Sequence, residues 1–314
     1  DWSSDVCSSD LFEKTGIRIR HIVEETVSAS DLAIKAGQPL VQGGLLASDK
    51  KLVVIAGTVS AEDRWPSLAS KAARGLGLTK ENGFENIVTY DTNAACSGWV
   101  FAIDDARIKL LSGIYQNAVV FSSDLMSRLV SRFDSSRILF GDGATASLLE
   151  LETEDSSGFR ILDTDIVTYP QTPTDVYYPT ELATQLPDEQ KRNRMNLNGG
   201  RVYKAGVEYT ASFIQKYLQK HNLVLGDFDY VIPHQANGRM LDALKKELGL
   251  GLNKHGVQKL LSNIETNGNT ATSSIPLCLF DFQEAGHFRD GDKILMCSFG
   301  AGYTLGIIHA QYKK

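Results

Sequence analysis

The sequence lacks the marks of several protein classes. It has 4 cysteines in 314 residues, with no Cys-x-x-Cys pair and no cysteine or histidine at metal-ligand spacing. A disulfide framework and a metal site are therefore not predicted. No apolar run approaches the roughly 20 residues needed to cross a bilayer, and no secretory signal is visible. We expect a soluble, cytoplasmic protein that makes no membrane contact.

Positive charge is also scarce. The 32 lysines and arginines are outnumbered by 38 aspartates and glutamates, and the formal net charge is -6 at pH 7. No basic stretch with interleaved aromatic residues occurs, so a nucleic-acid partner is not predicted. Hydrophobic residues make up 42% of the chain, enough for a substantial core. Predicted strands alternate with predicted helices, which is typical of an α/β protein with a mixed or parallel sheet.

The first eleven residues, DWSSDVCSSDL from Asp1 to Leu11, show no amphipathic period. We interpret them as the translation of a sequencing-adaptor oligonucleotide that stands in place of the natural N-terminus. On this interpretation Trp2 and Cys7 have no biological role.

Cys96 is the strongest candidate for a catalytic nucleophile in the sequence. It follows a predicted strand at 86–91 (NIVTYD), lies among small residues (DTNAACSG) and precedes an apolar stretch that Gly113 closes. At a strand-to-helix junction, free backbone N–H groups and the helix dipole favour a thiolate and bind a developing oxyanion. A small buried cysteine packed beside alanine is the structural alternative.

The sequence also repeats itself. Four landmarks occur in the same order in an N-terminal and a C-terminal copy, which is the pattern of a duplicated supersecondary unit with a pseudo-twofold axis. We place the first copy at 12–157 and the second at 158–314. The matching segments are LVVIA at 52 with YVIPH at 230, DTNAACSG at 91 with ETNGNTAT at 265, AVVFSSD at 118 with KILMCSF at 293, and FGDGAT at 140 with FGAGYT at 299.

The repeat places further polar residues beside Cys96. Cys96 aligns with the neighbourhood of Asn269, so both side chains are expected at the N-termini of paired buried helices that face one cavity. His234 follows the strand VIP, and ligands of open α/β sheets collect at the carboxyl ends of strands. We therefore rate His234 as functional, although a lone histidine is often structural. Cys278 and Cys297 lie in apolar stretches and are expected in the core.

Five motifs then occur in a characteristic order: NAACSG at 93, FGDGA at 140, PHQANGR at 233, GNTATSSIP at 268 and FGAGYT at 299. With them the chain resembles the 3-oxoacyl-[acyl-carrier-protein] synthase III family of thiolase-fold condensing enzymes. The resemblance implies a five-layer αβαβα sandwich of two similar halves, a homodimer, and a catalytic triad of Cys96, His234 and Asn269. It also implies decarboxylative condensation of an acyl primer with a malonyl thioester. Acyl-CoA and malonyl-acyl carrier protein would be the substrates, and no cofactor would be needed.

Further site residues follow from the same resemblance. The backbone N–H groups of Cys96 and Ala301 are expected to form an oxyanion hole, and Trp65 is expected to reach the partner subunit's acyl tunnel. A basic face of the helix predicted at 236–248 would dock the acidic carrier protein, with an ordinary solvated face as the alternative. The residues expected to bind substrate or carrier are Lys14, Thr15, Trp65, Phe140, Gly199, Tyr203, Gln235, Ala236, Asn237, Arg239, Lys245, Lys246 and Phe299.

The chain departs from the family pattern near its coenzyme-contacting loop. Ser135 matches the family's coenzyme-contacting arginine, unless Arg137 substitutes for it. The departure favours an alternative in which a secondary-metabolic relative joins two acyl chains or transfers an acyl group to a small acceptor. An inactive acyl-chain-binding partner is the other alternative, and the presence of Cys96 argues against it. The stretch at 169–198 is expected to be a long irregular insertion.

Overall fold

The structure is a computed structural model that describes residues 8–131, 133–171, 174–180 and 193–314. The helices are α1 (Ser8–Thr15), α2 (Ala29–Gln42), α3 (Leu68–Gly75), α4 (Gly98–Leu111), α5 (Met126–Leu129), α6 (Gly199–Lys220), α7 (Gly238–Glu247), α8 (Ile264–Asn267) and α9 (Ser274–Glu284). The strands are β1 (Leu52–Gly57), β2 (Ile87–Thr92), β3 (Asn117–Leu125), β4 (Asp142–Glu150), β5 (Gly158–Thr168), β6 (Val176–Tyr177), β7 (Asn196–Leu197), β8 (Tyr230–Pro233), β9 (Lys293–Gly300) and β10 (Thr304–Lys313).

Two 4-stranded mixed sheets form the centre of the molecule, in the orders β2-β1-β3-β4 and β5-β10-β9-β8. In the first sheet β1 pairs in parallel with β2 and β3, and β4 runs antiparallel to β3. In the second sheet β8 pairs in parallel with β9, and β10 runs antiparallel to β9 and β5. The directions of β1, β3 and β4 are thus repeated in β8, β9 and β10, as the internal sequence repeat predicted.

The central strands of the first sheet are buried along their whole length, because both faces of the sheet are covered. Every residue of β1 (LVVIAG) and of β3 (NAVVFSSDL) is buried, and continuous burial is typical of strands with helices on both faces. Val53 and Ile55 face α4 and α9, whereas Val54 between them faces α2 and α3. The first sheet is therefore enclosed between two helical layers.

The second sheet is enclosed in the same way. Ile232 of β8 packs in the cluster that contains α4 and α9, whereas Val231 packs against α6 and α7. The pair α4 and α9 is therefore a shared middle layer. The order of layers is α2 and α3, the first sheet, α4 and α9, the second sheet, and then α6 and α7. This is the five-layer arrangement that the sequence predicted.

Two segments singled out from the sequence lie partly outside the described residues. Residues 1–7 are not described, and the remainder of the suspected adaptor segment opens α1, so its interpretation stays a prediction. In the expected insertion at 169–198, β6 and β7 pair with each other, while 172–173 and 181–192 are not described. None of the helices in the described part of the chain has both the length and the apolar character that crossing a bilayer requires.

Candidate active site

Cys96 lies in the turn that connects β2 to α4. The turn begins after Thr92 and ends where α4 starts at Gly98. Asn93 Oδ1 accepts a hydrogen bond of 3.2 Å from the Ala95 N–H, and Ala95 has a left-handed φ of +49°. Cys96 therefore has the strand-to-helix position that the sequence predicted.

The backbone N–H of Cys96 is close to the turn that follows β9. Among the described residues, no protein oxygen accepts a hydrogen bond from this N–H. Gly300 approaches so closely that a Cβ on it would lie 3.0 Å from Cys96 N and 2.8 Å from Ala94 O. Thr304 Oγ1 donates a hydrogen bond of 2.7 Å to Ala94 O. These contacts hold the turn that contains Ala301 against the Cys96 turn.

His234 lies at the carboxyl end of β8 and is 6% exposed. Its Nδ1 lies 2.6 Å from Ser274 Oγ, which also accepts a hydrogen bond of 3.4 Å from the Gln235 N–H. The described residues offer the Ser274 hydroxyl proton no other acceptor, so we infer that it points at Nδ1. The ring proton of a neutral His234 is then on Nε2. Sequence reasoning gave Ser274 no role, although it lies within the GNTATSSIP motif.

Burial lowers the pKa of His234 to about 4. The imidazole is therefore neutral at pH 7, because removing the ring from water disfavours its charged form. A neutral ring with its proton on Nε2 donates a hydrogen bond but accepts a proton poorly.

Asn269 is held at both ends of its amide. Nδ2 donates a hydrogen bond of 3.2 Å to Ala236 O, and Oδ1 accepts one of 2.9 Å from the Ala271 N–H. The Asn269 backbone also bridges to Phe140. Because an asparagine amide has two N–H donors, one remains after the bond to Ala236.

The structure brings together the three loops that carry the predicted triad. Cys96 packs in the same apolar cluster as Ala271, which is two residues after Asn269. Asn269 in turn donates to the carbonyl of Ala236, two residues after His234. The three loops are therefore neighbours, and the meeting of the three side chains in one cavity stays a prediction, as do their catalytic roles.

The ionisation of Cys96 depends on the balance between the helix dipole and burial. Burial, followed by the negative charge of Asp124, raises the pKa of the Cys96 thiol to about 12, although the residue is only partly buried. A helix N-terminus contributes up to about 2 kcal/mol, or roughly 1.5 pKa units. Desolvation therefore outweighs the dipole, and Cys96 is a thiol at rest.

Two of the predicted binding residues, Trp65 and Gln235, lie in opposite environments. Trp65 is 80% exposed, which excludes a place in the core of the chain. Gln235 is 0% exposed; its Nε2 donates to Pro233 O at 2.6 Å and its Oε1 accepts from Ser262 Oγ at 2.6 Å. The expectation that Gln235 contacts substrate is therefore wrong, because its amide is used inside the protein.

The predicted basic face on α7 is mostly engaged in internal contacts. The Arg239 guanidinium donates to Glu13 O at 2.7 Å and pairs with Asp242 at 3.0 Å. Lys245 Nζ donates to Gln258 Oε1 at 2.6 Å. Lys246 is exposed at the end of the helix. Of the three basic side chains on this helix, only Lys246 is therefore left as a candidate contact for an acidic partner.

The remaining predicted binding residues lie in α1, α6 and β9 and in the segments before β4 and α7. Lys14 is exposed near the end of α1, next to Thr15, which is buried. Phe140 and Phe299 are each 6% exposed. Gly199 begins α6, and the Tyr203 hydroxyl in the same helix donates to the Arg239 carbonyl at 3.1 Å. Ala236 and Asn237 precede α7, and the Asn237 side chain caps that helix.

A cluster that the sequence analysis missed surrounds His255. His255 Nε2 lies 2.8 Å from Asp292 Oδ1. Lys254 Nζ lies 2.9 Å from Asp229 Oδ2 and 3.2 Å from Asp292 Oδ1. The carboxylates of Asp229 and Asp292 and the imidazole of His255 are close enough together to bind a metal ion. However, the Lys254 ammonium bonds to both carboxylates. We interpret the cluster as an ion-pair network that joins the loops around β8 and β9.

A cavity of about 890 Å³ lies beside β4 and β5, between α4 and α9. Trp99, Leu149, Phe159 and Phe280 are among its lining residues. Cys96 is not, so the cavity is separate from the candidate active site.

Comparison with known proteins decides the family. Two family profiles match the chain: 3-oxoacyl-[acyl-carrier-protein (ACP)] synthase III over residues 90–170, and the C-terminal part of the same family over residues 218–312. The beta-ketoacyl-[acyl-carrier-protein] synthase III of Koribacter versatilis is 32% identical, over 96% of this chain and 89% of that protein. The chain belongs to the 3-oxoacyl-[acyl-carrier-protein] synthase III family.

Further relatives agree with this assignment. The protein of the same name from Synechocystis is 33% identical, over 97% of this chain and 90% of its own length. The solved structure of the Thermus thermophilus synthase III is 29% identical with a TM-score of 0.83, and the match covers 98% of this chain and 92% of that chain. The two-sheet, five-layer arrangement is accordingly the thiolase-like fold predicted from the sequence. As a synthase III family member, the chain is an acyltransferase of the condensing type.

Proposed function

We propose that the chain catalyses the decarboxylative Claisen condensation that initiates fatty-acid synthesis. Cys96 Sγ forms a bond to the acyl carbon of an acyl-CoA or acyl carrier protein, the bond to the donor sulfur breaks, and the donor thiol receives the proton. A malonyl thioester then loses CO₂, and its enolate forms a bond to the acyl carbon. The bond from that carbon to Cys96 Sγ breaks, and the sulfur takes a proton from solvent. The products are a β-ketoacyl thioester and free Cys96.

The convergence of the Cys96, His234 and Asn269 loops carries this proposal. The difficult step is formation of the enolate, and its oxygen needs hydrogen-bond donors where charge develops. We assign the donor roles to the Nε2–H of His234 and the free amide N–H of Asn269. One such donor is worth roughly 10²–10³ in rate. Because the pKa of His234 is about 4, we do not assign it the role of base toward the thiol.

A second anion site would serve the tetrahedral intermediates at Cys96. The N–H groups of Cys96 and Ala301 are the proposed donors. Support comes from the Cys96 N–H, which has no protein oxygen as acceptor among the described residues, and from the close approach of Gly300, the residue before Ala301.

Intact-mass spectrometry tests the proposal. The protein is incubated with acetyl-CoA, longer acyl-CoAs and acyl carrier proteins in turn. We expect a single acyl adduct, which is lost in Cys96→Ala and kept in the matched control Cys278→Ala, whose parent cysteine is buried in the core. Decarboxylation of malonyl-acyl carrier protein is expected to fall about 10²-fold in Asn269→Ala. No adduct with any donor would refute the proposal.

The proposed partner for the second substrate is acyl carrier protein, which is acidic. Lys246 at the exposed end of α7 is the best candidate contact, because Arg239 is bonded to α1. Lys246→Glu is expected to raise the KM for malonyl-carrier protein and to leave the KM for acetyl-CoA unchanged. Lys35→Glu on α2 is the control. Equal KM values in wild type and Lys246→Glu would remove this contact.

We also propose a cytoplasmic homodimer that needs no cofactor, with the thioesters acting as substrates only. The Trp65 side chain, which is 80% exposed, is the proposed contact with the partner subunit. Analytical ultracentrifugation of wild type and Trp65→Ala tests this point, and a monomeric wild type would refute it. The secondary-metabolic alternative is not favoured, since both curated relatives described above carry the beta-ketoacyl-[acyl-carrier-protein] synthase III name.

A further inference from the structure

Asp124 is a fully buried carboxylate that links the first sheet to the turn before α9. It lies near the end of β3 and is 0% exposed. Oδ1 accepts a hydrogen bond of 2.8 Å from the Val59 N–H, in the loop after β1. Oδ2 accepts a hydrogen bond of 2.9 Å from the Thr272 N–H and lies 2.5 Å from Thr272 Oγ1. One side chain thus joins the first sheet to the turn that follows Asn269.

The turn that follows Asn269 requires stabilising contacts, because Ala271 within it has a left-handed φ of +49°. This conformation costs an L-residue with a Cβ roughly 1–2 kcal/mol. Side chains bind two successive backbone N–H groups of the turn: Asn269 Oδ1 accepts from Ala271 at 2.9 Å, and Asp124 Oδ2 accepts from Thr272 at 2.9 Å. The Asn269 amide and the Asp124 carboxylate therefore belong to one hydrogen-bonded unit.

The equivalent turn at Cys96 has no such carboxylate. Asn93 and Ala95 repeat the bond and the φ of Asn269 and Ala271, so Thr272 corresponds to Cys96. The Thr272 N–H binds a carboxylate oxygen, whereas no protein oxygen in the described part of the chain accepts from the Cys96 N–H. Asp124 therefore accepts the backbone N–H of the Asn269 turn only, and the corresponding N–H at Cys96 is left for a substrate oxyanion.

We infer that Asp124 is a positioning residue: it holds the Asn269 turn so that the free amide N–H points at the enolate oxygen, and it does not touch the substrate. The inference rests on the proposed function. Burial raises the pKa of Asp124, and the hydrogen bonds from Thr272 and Val59 lower it. A carboxylate suits this place because both its oxygens accept, whereas an amide would turn its NH₂ toward one of the two backbone N–H groups.

Separate assays of the two half-reactions test the inference. Asp124→Asn is expected to slow decarboxylation of malonyl-carrier protein by about 10-fold or more, since a misplaced donor forfeits part of its roughly 10²–10³ effect. Acylation of Cys96 by acetyl-CoA is expected to be no more than about 3-fold slower than in wild type. Ser123→Ala is the matched control. Ser123 is also 0% exposed, and its hydroxyl donates to Ala29 O at 2.7 Å, away from the turn. Both half-reactions are expected to be unchanged in this control.

A double-mutant cycle separates positioning from general stability. If Asp124 acts through Asn269, then the double variant Asp124→Asn with Asn269→Ala decarboxylates no more slowly than Asn269→Ala alone. Additive losses, or an equal loss in both half-reactions of Asp124→Asn, would overturn the inference. If Asp124→Asn does not fold, Thr272→Val removes only the hydroxyl contact and is expected to show the same selective loss. A wild-type protein inactive in both half-reactions would instead refute the proposed function.

Discussion

Ala95 and Ala271 have the same left-handed backbone, with a φ of +49° at each residue. Each lies two residues after an asparagine whose Oδ1 accepts its N–H, at 3.2 Å for Ala95 and 2.9 Å for Ala271. Each turn then leads into a helix of the shared middle layer, α4 or α9. The two copies of the repeat therefore share the same backbone φ and the same asparagine hydrogen bond at the turns that carry Cys96 and Asn269.

Replacing Ala271 with glycine is expected to leave the free energy of unfolding within about 0.5 kcal/mol of wild type. Glycine adopts positive φ without steric cost, which offsets the larger entropy it loses on folding. The matched control is Ala102→Gly in the buried middle of α4, where glycine is expected to cost about 1 kcal/mol. Urea denaturation measures both changes. An equal loss at the two positions would show that the turn at Ala271 is not strained.

Gly300→Ala is expected to slow acylation of Cys96 by about 10-fold or more, in line with loss of one oxyanion donor. A Cβ here would lie 2.5 Å from Thr304 Oγ1 and 3.0 Å from Cys96 N, so the Cys96 turn must move away from the turn after β9. Stopped-flow measurement of CoA release gives the rate. Gly226→Ala is the control, because its Cβ would meet only an ordinary contact at 3.6 Å. Wild-type acylation in Gly300→Ala would contradict the proposed anion site at Cys96 and Ala301.

The sequence predicts much of the fold and the place of the nucleophile, because both depend on local signals. Apolar runs mark β1 and β3 as covered on both faces, and the motif DTNAACSG marks a strand-to-helix turn. The repeat aligned Cys96 only with the neighbourhood of Asn269. The structure shows that Asn93 corresponds to Asn269 and that Cys96 corresponds to Thr272, a shift of two residues from the pairing of the two sequence segments.

Features that depend on distant contacts escaped prediction. Asp124 contacts Thr272 across 148 residues, and no local pattern signals such a bond. The protonation state of Cys96 could not be predicted from the sequence for the same reason: the position of the helix follows from neighbouring residues, whereas burial is set by segments far along the chain. Gln235 lies in a recognisable motif, yet its bond to Ser262 shows that it supports the loop of His234 and does not face substrate.

Ser274→Ala is expected to slow decarboxylation about 10-fold and to leave acylation of Cys96 nearly unchanged. Ser274 Oγ holds Nδ1 of His234 at 2.6 Å, and without it the ring is free to place its proton on either nitrogen. Assays of the two half-reactions check the result. Ser273→Ala is a matched control, because the Ser273 hydroxyl donates to Gly143 O at 2.9 Å instead. Equal losses in the two variants would argue against an orienting role for Ser274.

Asp124→Asn is also expected to lower the pH at which Cys96 is alkylated. The negative charge of Asp124 contributes, after burial, to the raised pKa of Cys96, so its removal stabilises the thiolate. The rate of iodoacetamide modification as a function of pH, followed by peptide mass spectrometry, reports this change. Cys278 and Cys297, which are buried, serve as unreactive internal controls. An unchanged profile would mean that Asp124 is not ionised beside the thiol.

His234 is expected to make the protein less stable as pH falls. Its pKa is about 4 in the folded protein against 6.5 for the unperturbed group, so between these values the unfolded chain binds a proton that the folded chain does not. The free energy of unfolding therefore decreases as pH drops through this window, and one pKa unit corresponds to about 1.4 kcal/mol. From pH 7.5 to pH 5 the loss that His234 causes is about 2 kcal/mol.

Urea denaturation of wild type and His234→Gln at both pH values measures this contribution. The variant is expected to lose about 2 kcal/mol less than wild type over the same range, since glutamine does not titrate. His287 and His309 also have lowered pKa values because of burial, but their effects are common to both proteins and cancel in the comparison. If the two proteins showed the same pH dependence, His234 would not be held neutral by burial, and its assignment as a neutral donor to the enolate would lose its physical basis.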